Sequence, residues 1–204
     1  CGHKIDLLIG GSPCQGFSFA GKQLAFDDPR SALFFEFVRL LKECKPKYFL
    51  LENVRMKKEF LDIISEQVGC EPIFINSALV SAQNRKRLYW TNIPFDIPED
   101  KGIILADILE DGVTDREKSH CLDANYFKGG NLKSYFEKHR RQLVFNNRCI
   151  QEGEADIKET YRKLSCLECE RLQTVPDGYT EGVSNTQRYK MLGNGWTIEV
   201  IAHI

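Results

Sequence analysis

The chain has 204 residues, with 28 Lys plus Arg against 29 Asp plus Glu, for a formal net charge of −1. At 42% hydrophobic and 28% charged residues it has the composition of an ordinary soluble globular chain, long enough for one large domain or for one domain with a small companion. No apolar run approaches the roughly 18 residues of a membrane span. No charged-then-apolar leader opens the sequence, and the balanced charge leaves nucleic-acid binding to a local basic face.

In chain order, the apolar run Lys4–Ile9 ending in Gly10-Gly11 predicts a buried strand that runs into a loop. Gly11 to Arg30 reads as loop. A helix begins near Ser31, with Leu33, Phe34, Phe37, Leu40, Leu41 and Cys44 on one face and Pro46 as its stop. Tyr48–Leu51 is the next strand. A second amphipathic helix carries Phe60, Leu61, Ile64 and Val68 and ends at Gly69. Ile73–Asn76 is a third strand and Leu88–Thr91 a fourth. This alternation predicts an α/β fold in layers, with parallel strands and right-handed crossovers.

From Pro98 to Glu159 the sequence turns polar, with scattered aromatics and a turn at Gly129-Gly130-Asn131. Ser165 and Glu168 form a capping-box pattern for a short helix through Leu172. Gly193-Asn194-Gly195 marks a turn before a final helix over Thr197–Ile204. The expected organisation is a catalytic domain over 1–96, a separate lobe over 97–160, and a return to the catalytic domain over 161–204. The eight cysteines include one close pair, Cys166 and Cys169. No second ligand pair follows it, so the expectation is free thiols in a reduced intracellular, cytoplasmic chain with no metal.

In an open parallel sheet, ligands bind beyond the carboxyl ends of the strands. Gly11-Ser-Pro-Cys-Gln-Gly-Phe-Ser18 lies at one such end and Glu52-Asn53-Val54 at the next, which places a thiol and a carboxylate on neighbouring strand tips. Taken singly, each has a plain structural reading: Cys14 as an inert thiol, Glu52 as a surface carboxylate, Asn53 as a turn former. Gln83, Arg85 and Arg87 alternate as on one strand face, which alone fits a solvated basic edge.

The combination is more specific. Pro13-Cys14, Glu52-Asn53-Val54 and Gln83-Asn-Arg85-Lys-Arg87 occur in order. They are followed by Arg162-Lys-Leu-Ser-x-x-Glu-Cys-x-Arg-Leu-Gln173 and Tyr189-Lys-Met-Leu-Gly-Asn-Gly-Trp196. This set resembles the carbon-5 cytosine DNA methyltransferase family of bacteria and phages, with some details similar to the eukaryotic de novo group.

The resemblance implies a Rossmann-like S-adenosylmethionine-dependent fold with a target-recognition lobe. It implies methyl transfer to carbon 5 of a cytosine flipped out of duplex DNA, in the setting of restriction-modification. Cys14 is then the nucleophile that adds to carbon 6 of the ring. Glu52 holds ring nitrogen 3, Arg85 holds the base carbonyl, and Asn53, Gln83 and Arg87 support them. Pro13, Leu33, Asn194 and Trp196 line the methionine end of the donor. Gln15, Ser18 and Arg30 lie in a loop that closes on DNA. Lys128, Arg140 and Arg141 stand in a basic stretch interleaved with aromatics that suits phosphate contact.

The family's Phe-x-Gly-x-Gly loop and acidic ribose ligand would precede Cys1, so a preceding segment or a complementing chain is expected to supply them. Two other readings stay open: an RNA cytosine methyltransferase of the same fold, and a regulatory paralogue without activity.

Overall fold

The structure, a computed structural model, describes residues 4–11, 32–146 and 161–204. It divides into two compact units, one of residues 1–76 and 86–96 and the other of 77–85 and 97–204.

The first unit is a four-stranded sheet with two helices. Its elements are β1 (Leu7–Gly11), α1 (Ala32–Cys44), β2 (Tyr48–Asn53), α2 (Lys58–Val68), β3 (Ile73–Asn76) and β4 (Lys86–Thr91). The strand order is β1-β2-β4-β3. β1 and β2 are parallel, and β4 is antiparallel to both β2 and β3, so β1, β2 and β3 all point one way. The strand–helix–strand alternation thus yields parallel strands, as expected. The fourth strand departs from it: β4 returns without a helical crossover and enters between β2 and β3, which antiparallel pairing permits.

Buried runs explain the central positions. Phe49, Leu50 and Leu51 of β2 and Leu88, Tyr89 and Trp90 of β4 are all buried, the continuous apolar pattern of strands covered on both faces. The α1 face of Phe34, Phe37 and Val38 packs on them together with Met56, Ile64 and Val68. A side chain at Gly10 would meet the Phe37 ring at 2.6 Å, so glycine there lets α1 settle on β1. Helix α2 ends on Gly69, whose φ of 81° closes a left-handed cap and whose N–H donates to Ser65 O at 2.8 Å.

The second unit holds α3 (Leu105–Ile108), α4 (Leu132–Lys138), β5 (Leu143–Phe145), β6 (Tyr161–Lys163), α5 (Cys166–Leu172), α6 (Asn185–Asn194) and α7 (Ile198–His203). β5 and β6 form an antiparallel pair. A single core of Leu105, Leu122, Tyr126, Val144, Leu164, Cys169, Leu172 and Leu192 draws on both 97–146 and 161–204. Tyr126 ties the two stretches: its hydroxyl donates to Gln142 O and accepts from Leu164 N at 3.0 Å. Helix α5 starts on the expected capping box, with Ser165 and Glu168 each accepting the other's backbone N–H.

Helix α6 carries no strong apolar stripe. Its signals are the Ser184 cap, which accepts from Gln187 N, and the buried pair Tyr189 and Leu192. No helix among the described residues is long and apolar enough to cross a membrane.

Candidate active site and basic cavity

In the first unit the site begins with the β1–β2 register. Gly11, the last residue of β1, stands directly opposite Glu52 of β2. Parallel pairing therefore brings the entry of the Pro13-Cys14 loop to the carboxylate at the next strand end. Pro13, Cys14, Gln15, Ser18 and Arg30 themselves lie outside the described residues.

Glu52 is mostly buried, with 12% of its side chain exposed, and its Oε1 is 2.7 Å from Arg87 Nε, whose side chain is 14% exposed. Arg87 reaches it from β4, the strand that pairs antiparallel with β2. Asn53 is buried, and its side-chain oxygen accepts from Val54 N at 2.8 Å, shaping the turn after β2. Leu33 is exposed on α1.

In the second unit Gln83 and Arg85 are buried and braced by backbone. Gln83 Nε2 donates to Leu172 O at 2.7 Å and to Gln173 Oε1 at 2.9 Å, while its own oxygen accepts from Leu122 N at 3.3 Å. The Arg85 guanidinium donates to Leu122 O at 2.9 Å and to Gly195 O at 2.7 Å. The two arginines have different partners. Arg87 is the one paired with the Glu52 carboxylate, and Arg85 is directed at main-chain carbonyls. Strand β4 starts only at Lys86, so the alternation read across Gln83, Arg85 and Arg87 is not one continuous strand.

Three of the basic residues singled out in the sequence come together. Lys128, Arg140 and Arg141 line one shallow cavity of about 190 Å³ with the Gly129–Asn131 backbone. The Asn131 side chain caps α4 by accepting from Ser134 N at 2.9 Å. Arg141 is braced by Asp123 at 3.3 Å, and the Lys128 ammonium lies 5.4 Å over the Phe127 ring. Asn194 is exposed and Trp196 half-buried at the end of α6. Cys166 and Cys169 sit buried on α5, where burial pushes both thiols up, Cys169 the further.

Sequence reasoning did not anticipate two buried ion pairs. Glu168 and Glu170 of α5 are fully buried, paired with Arg162 at 2.8 Å and with Arg188 at 2.9 Å. Burial pushes the Glu170 carboxyl up, but hydrogen bonds from Thr180, Arg188 and Gly178 N outweigh it and hold the group below its ordinary value. The signal available was the acidic pair on a helix otherwise apolar at Leu167, Cys169 and Leu172.

The family described as C-5 cytosine-specific DNA methylase matches residues 2–100 and 99–204 of the chain. The type II methyltransferase M1.ScrFI of Lactococcus lactis subsp. cremoris is 30% identical over 96% of this chain and 60% of its own length. The type II methyltransferase M.HpaII of Haemophilus parainfluenzae is 29% identical over 98% of this chain and 70% of its own. The chain therefore spans about three-fifths of the first of these relatives. Among solved structures, the Entamoeba histolytica methyltransferase EhMeth superposes with a TM-score of 0.67 at 16% identity, covering 97% of this chain and 75% of that one. The S. pombe Dnmt2 methyltransferase superposes with a TM-score of 0.66 at 17% identity, over 97% and 75%. Both share the fold.

Proposed function

Since the chain belongs to the C-5 cytosine-specific DNA methylase family, we propose that the protein it forms transfers a methyl group to carbon 5 of cytosine in duplex DNA. The observation that carries the reading is the Glu52–Arg87 pair at the carboxyl end of β2, opposite the residue that leads into the Pro13-Cys14 loop.

Carbon 5 of cytosine is a poor nucleophile until electron density is pushed onto it. The Cys14 thiolate does this by bonding to carbon 6, which saturates the 5,6 bond and makes carbon 5 nucleophilic. After transfer, the proton on carbon 5 leaves to a base, and the electron pair returns to the ring as the carbon–sulfur bond breaks and the thiolate departs. Glu52 holds ring nitrogen 3 in the protonated form, so that negative charge is drained during addition. Arg87, locked on one oxygen of that carboxylate, orients it and supplies positive charge where the base carbonyl gains electron density. Asn53 keeps the turn after β2 in shape.

S-adenosylmethionine supplies the methyl group as an electrophilic sulfonium. In the second unit the residues present suit its methionine end by their chemistry: Asn194 exposes an amide able to donate and accept, and the Trp196 indole is half-buried. Lys128, Arg140 and Arg141 contact phosphates, and the lobe of residues 97–160 reads sequence. Gln15, Ser18 and Arg30 hold the extruded nucleotide.

The test is Cys14→Ser in the complete protein. Methyl transfer is expected to vanish while duplex binding, mostly phosphate contacts, holds within about threefold. Duplex DNA carrying 5-fluorocytosine should trap a covalent adduct with the wild type only. An adduct in the Ser variant, or transfer to transfer RNA in preference to duplex DNA, would overturn the assignment.

A further inference from the structure

Helix α6 ends without a left-handed residue. An α-helix leaves its last four carbonyls without partners, and a left-handed glycine commonly closes them. Here Gly195 has φ −69° and ψ 169°, an extended conformation, so the chain leaves the helix straight instead of folding back over it. Gly195 N reaches Met191 O at 2.8 Å. The remaining work is done by side chains from elsewhere. Gln173 Nε2 donates to Leu192 O and, at 3.2 Å, to Gly195 O. Arg85 Nη2 donates to Gly195 O at 2.7 Å and to Gly193 O at 3.4 Å.

The capping side chains are themselves tied together. Gln173 Oε1 accepts from Gln83 at 2.9 Å and from Thr197 Oγ1 at 3.1 Å, so both ends of its amide are engaged. Arg85 places a buried cation at the negative end of the α6 dipole. Its other nitrogen holds Leu122 O at 2.9 Å. Gly193 completes the joint: a side chain there would collide with the Asp123–Ala124 backbone, so the end of α6 lies flat against that segment.

We propose that Arg85 and Gln173 are positioning residues that set the exit of α6 after Asn194, holding Gly195 extended so that Asn194 and Trp196 face the donor. This rests on the methyltransferase reading above. It gives Arg85 a role separate from the base: the guanidinium acts on the donor through a backbone it braces.

Two variants of the complete protein test it. Arg85→Lys keeps the charge but loses the fork, and Gln173→Ala removes the second brace with no change of charge. Each is expected to raise the donor KM about tenfold, the scale of one lost charge-assisted or buried hydrogen bond. The kcat and 5-fluorocytosine trapping at saturating donor should change by less than about threefold. Trp196 emission in the donor-free protein, isolated by subtracting the matching Trp196→Phe spectrum, should move to longer wavelength as the exit loosens.

An unchanged donor KM with lost trapping in Arg85→Lys would place Arg85 on the base and overturn the proposal. An emission shift without a KM change would overturn the donor role of the exit. If the wild type transfers no methyl group at all, the functional reading fails, and the emission spectra alone still decide whether these residues hold the exit.

Discussion

Glu52 and Arg87 show how much depends on one pairing. Neither residue is unusual in sequence, but an antiparallel register that aligns Asn53 with Leu88 and Glu52 with Tyr89 brings the Arg87 side chain onto the carboxylate. In the proposed mechanism, removing the charge at Glu52 removes both its hold on ring nitrogen 3 and its partner for Arg87. Glu52→Gln is expected to slow methyl transfer by about 10²–10³-fold with duplex affinity nearly unchanged, as measured by single-turnover transfer of labelled methyl. Arg87→Lys keeps the charge but not the fixed guanidinium plane, and should cost about tenfold in the same assay. The motif Gln-x-Arg-x-Arg was legible as a unit in the sequence. Which arginine meets the carboxylate was not, because a guanidinium's partners depend on carbonyls and carboxylates brought from far along the chain.

At the scale of elements, the stretch before β5 contains a cluster expected to shape the acid stability. Asp115, Arg116, Tyr135 and Gln142 form one network: Tyr135 donates to Asp115, and Gln142 donates to the Tyr135 hydroxyl at 2.9 Å. His120 packs edge-on to Tyr135 with ring centroids 5.7 Å apart, near His139, and its buried Nε2 has no hydrogen-bond partner among the described residues. Burial first, then the Arg116 charge, pushes the imidazole down to about 4, with Asp115 pulling the other way. The folded state thus favours neutral His120. Its contribution to stability is present above the ordinary value of 6.5 and is lost as pH falls from there through about 4. Asp115, held at about 2 by Arg116, Tyr135 and Gln142 against burial, acts only below its ordinary 3.8. His120→Phe should therefore flatten the fall in urea midpoint between pH 6.5 and 4 and leave the steeper loss at lower pH; an unchanged slope in that window would remove His120 as its source.

Arg162 presents a different case. It reaches Glu168 at 2.8 Å and Asp111 at 2.6 Å, and Glu168 also accepts Glu110 N at 2.9 Å. Arg162→Ala would strand a fully buried carboxylate, and guanidinium denaturation should show a loss of about 3 kcal/mol. The Ser165–Glu168 capping box was legible because it is local. The arginine partner was half legible, as part of the Arg162-x-Leu-Ser block, but the burial of Glu168 was not.

For the whole molecule, the lobe predicted over 97–160 shares its core with 161–204, through Leu122, Tyr126 and Val144 on one side and Leu164, Leu172 and Leu192 on the other. If the lobe reads sequence as proposed, that choice is separable from stability only at the surface. Replacing the exposed 126–141 stretch by that of another family member, with Tyr126 and Tyr135 kept, should change the methylated site in bisulfite sequencing while the thermal transition holds. Replacing all of 97–160 should lower that transition by several degrees, because core contacts go with it. An unchanged methylated site after both exchanges would show that sequence is read elsewhere.

The sequence by itself determined what is periodic or contiguous. The 3.6-residue stripe of α1, the glycine stop of α2, the apolar runs of β2 and β3, and the Glu52 motif at the end of β2 all follow from neighbours along the chain. Tertiary structure alone decided that β4 enters antiparallel between β2 and β3. It also decided that Arg87 meets Glu52, and that the end of α6 is closed by Arg85 and Gln173. Periodicity encodes which face is buried, not what covers it. The carbonyls that hold Arg85 lie 37, 108 and 110 residues away, and no local pattern selects among partners at that distance.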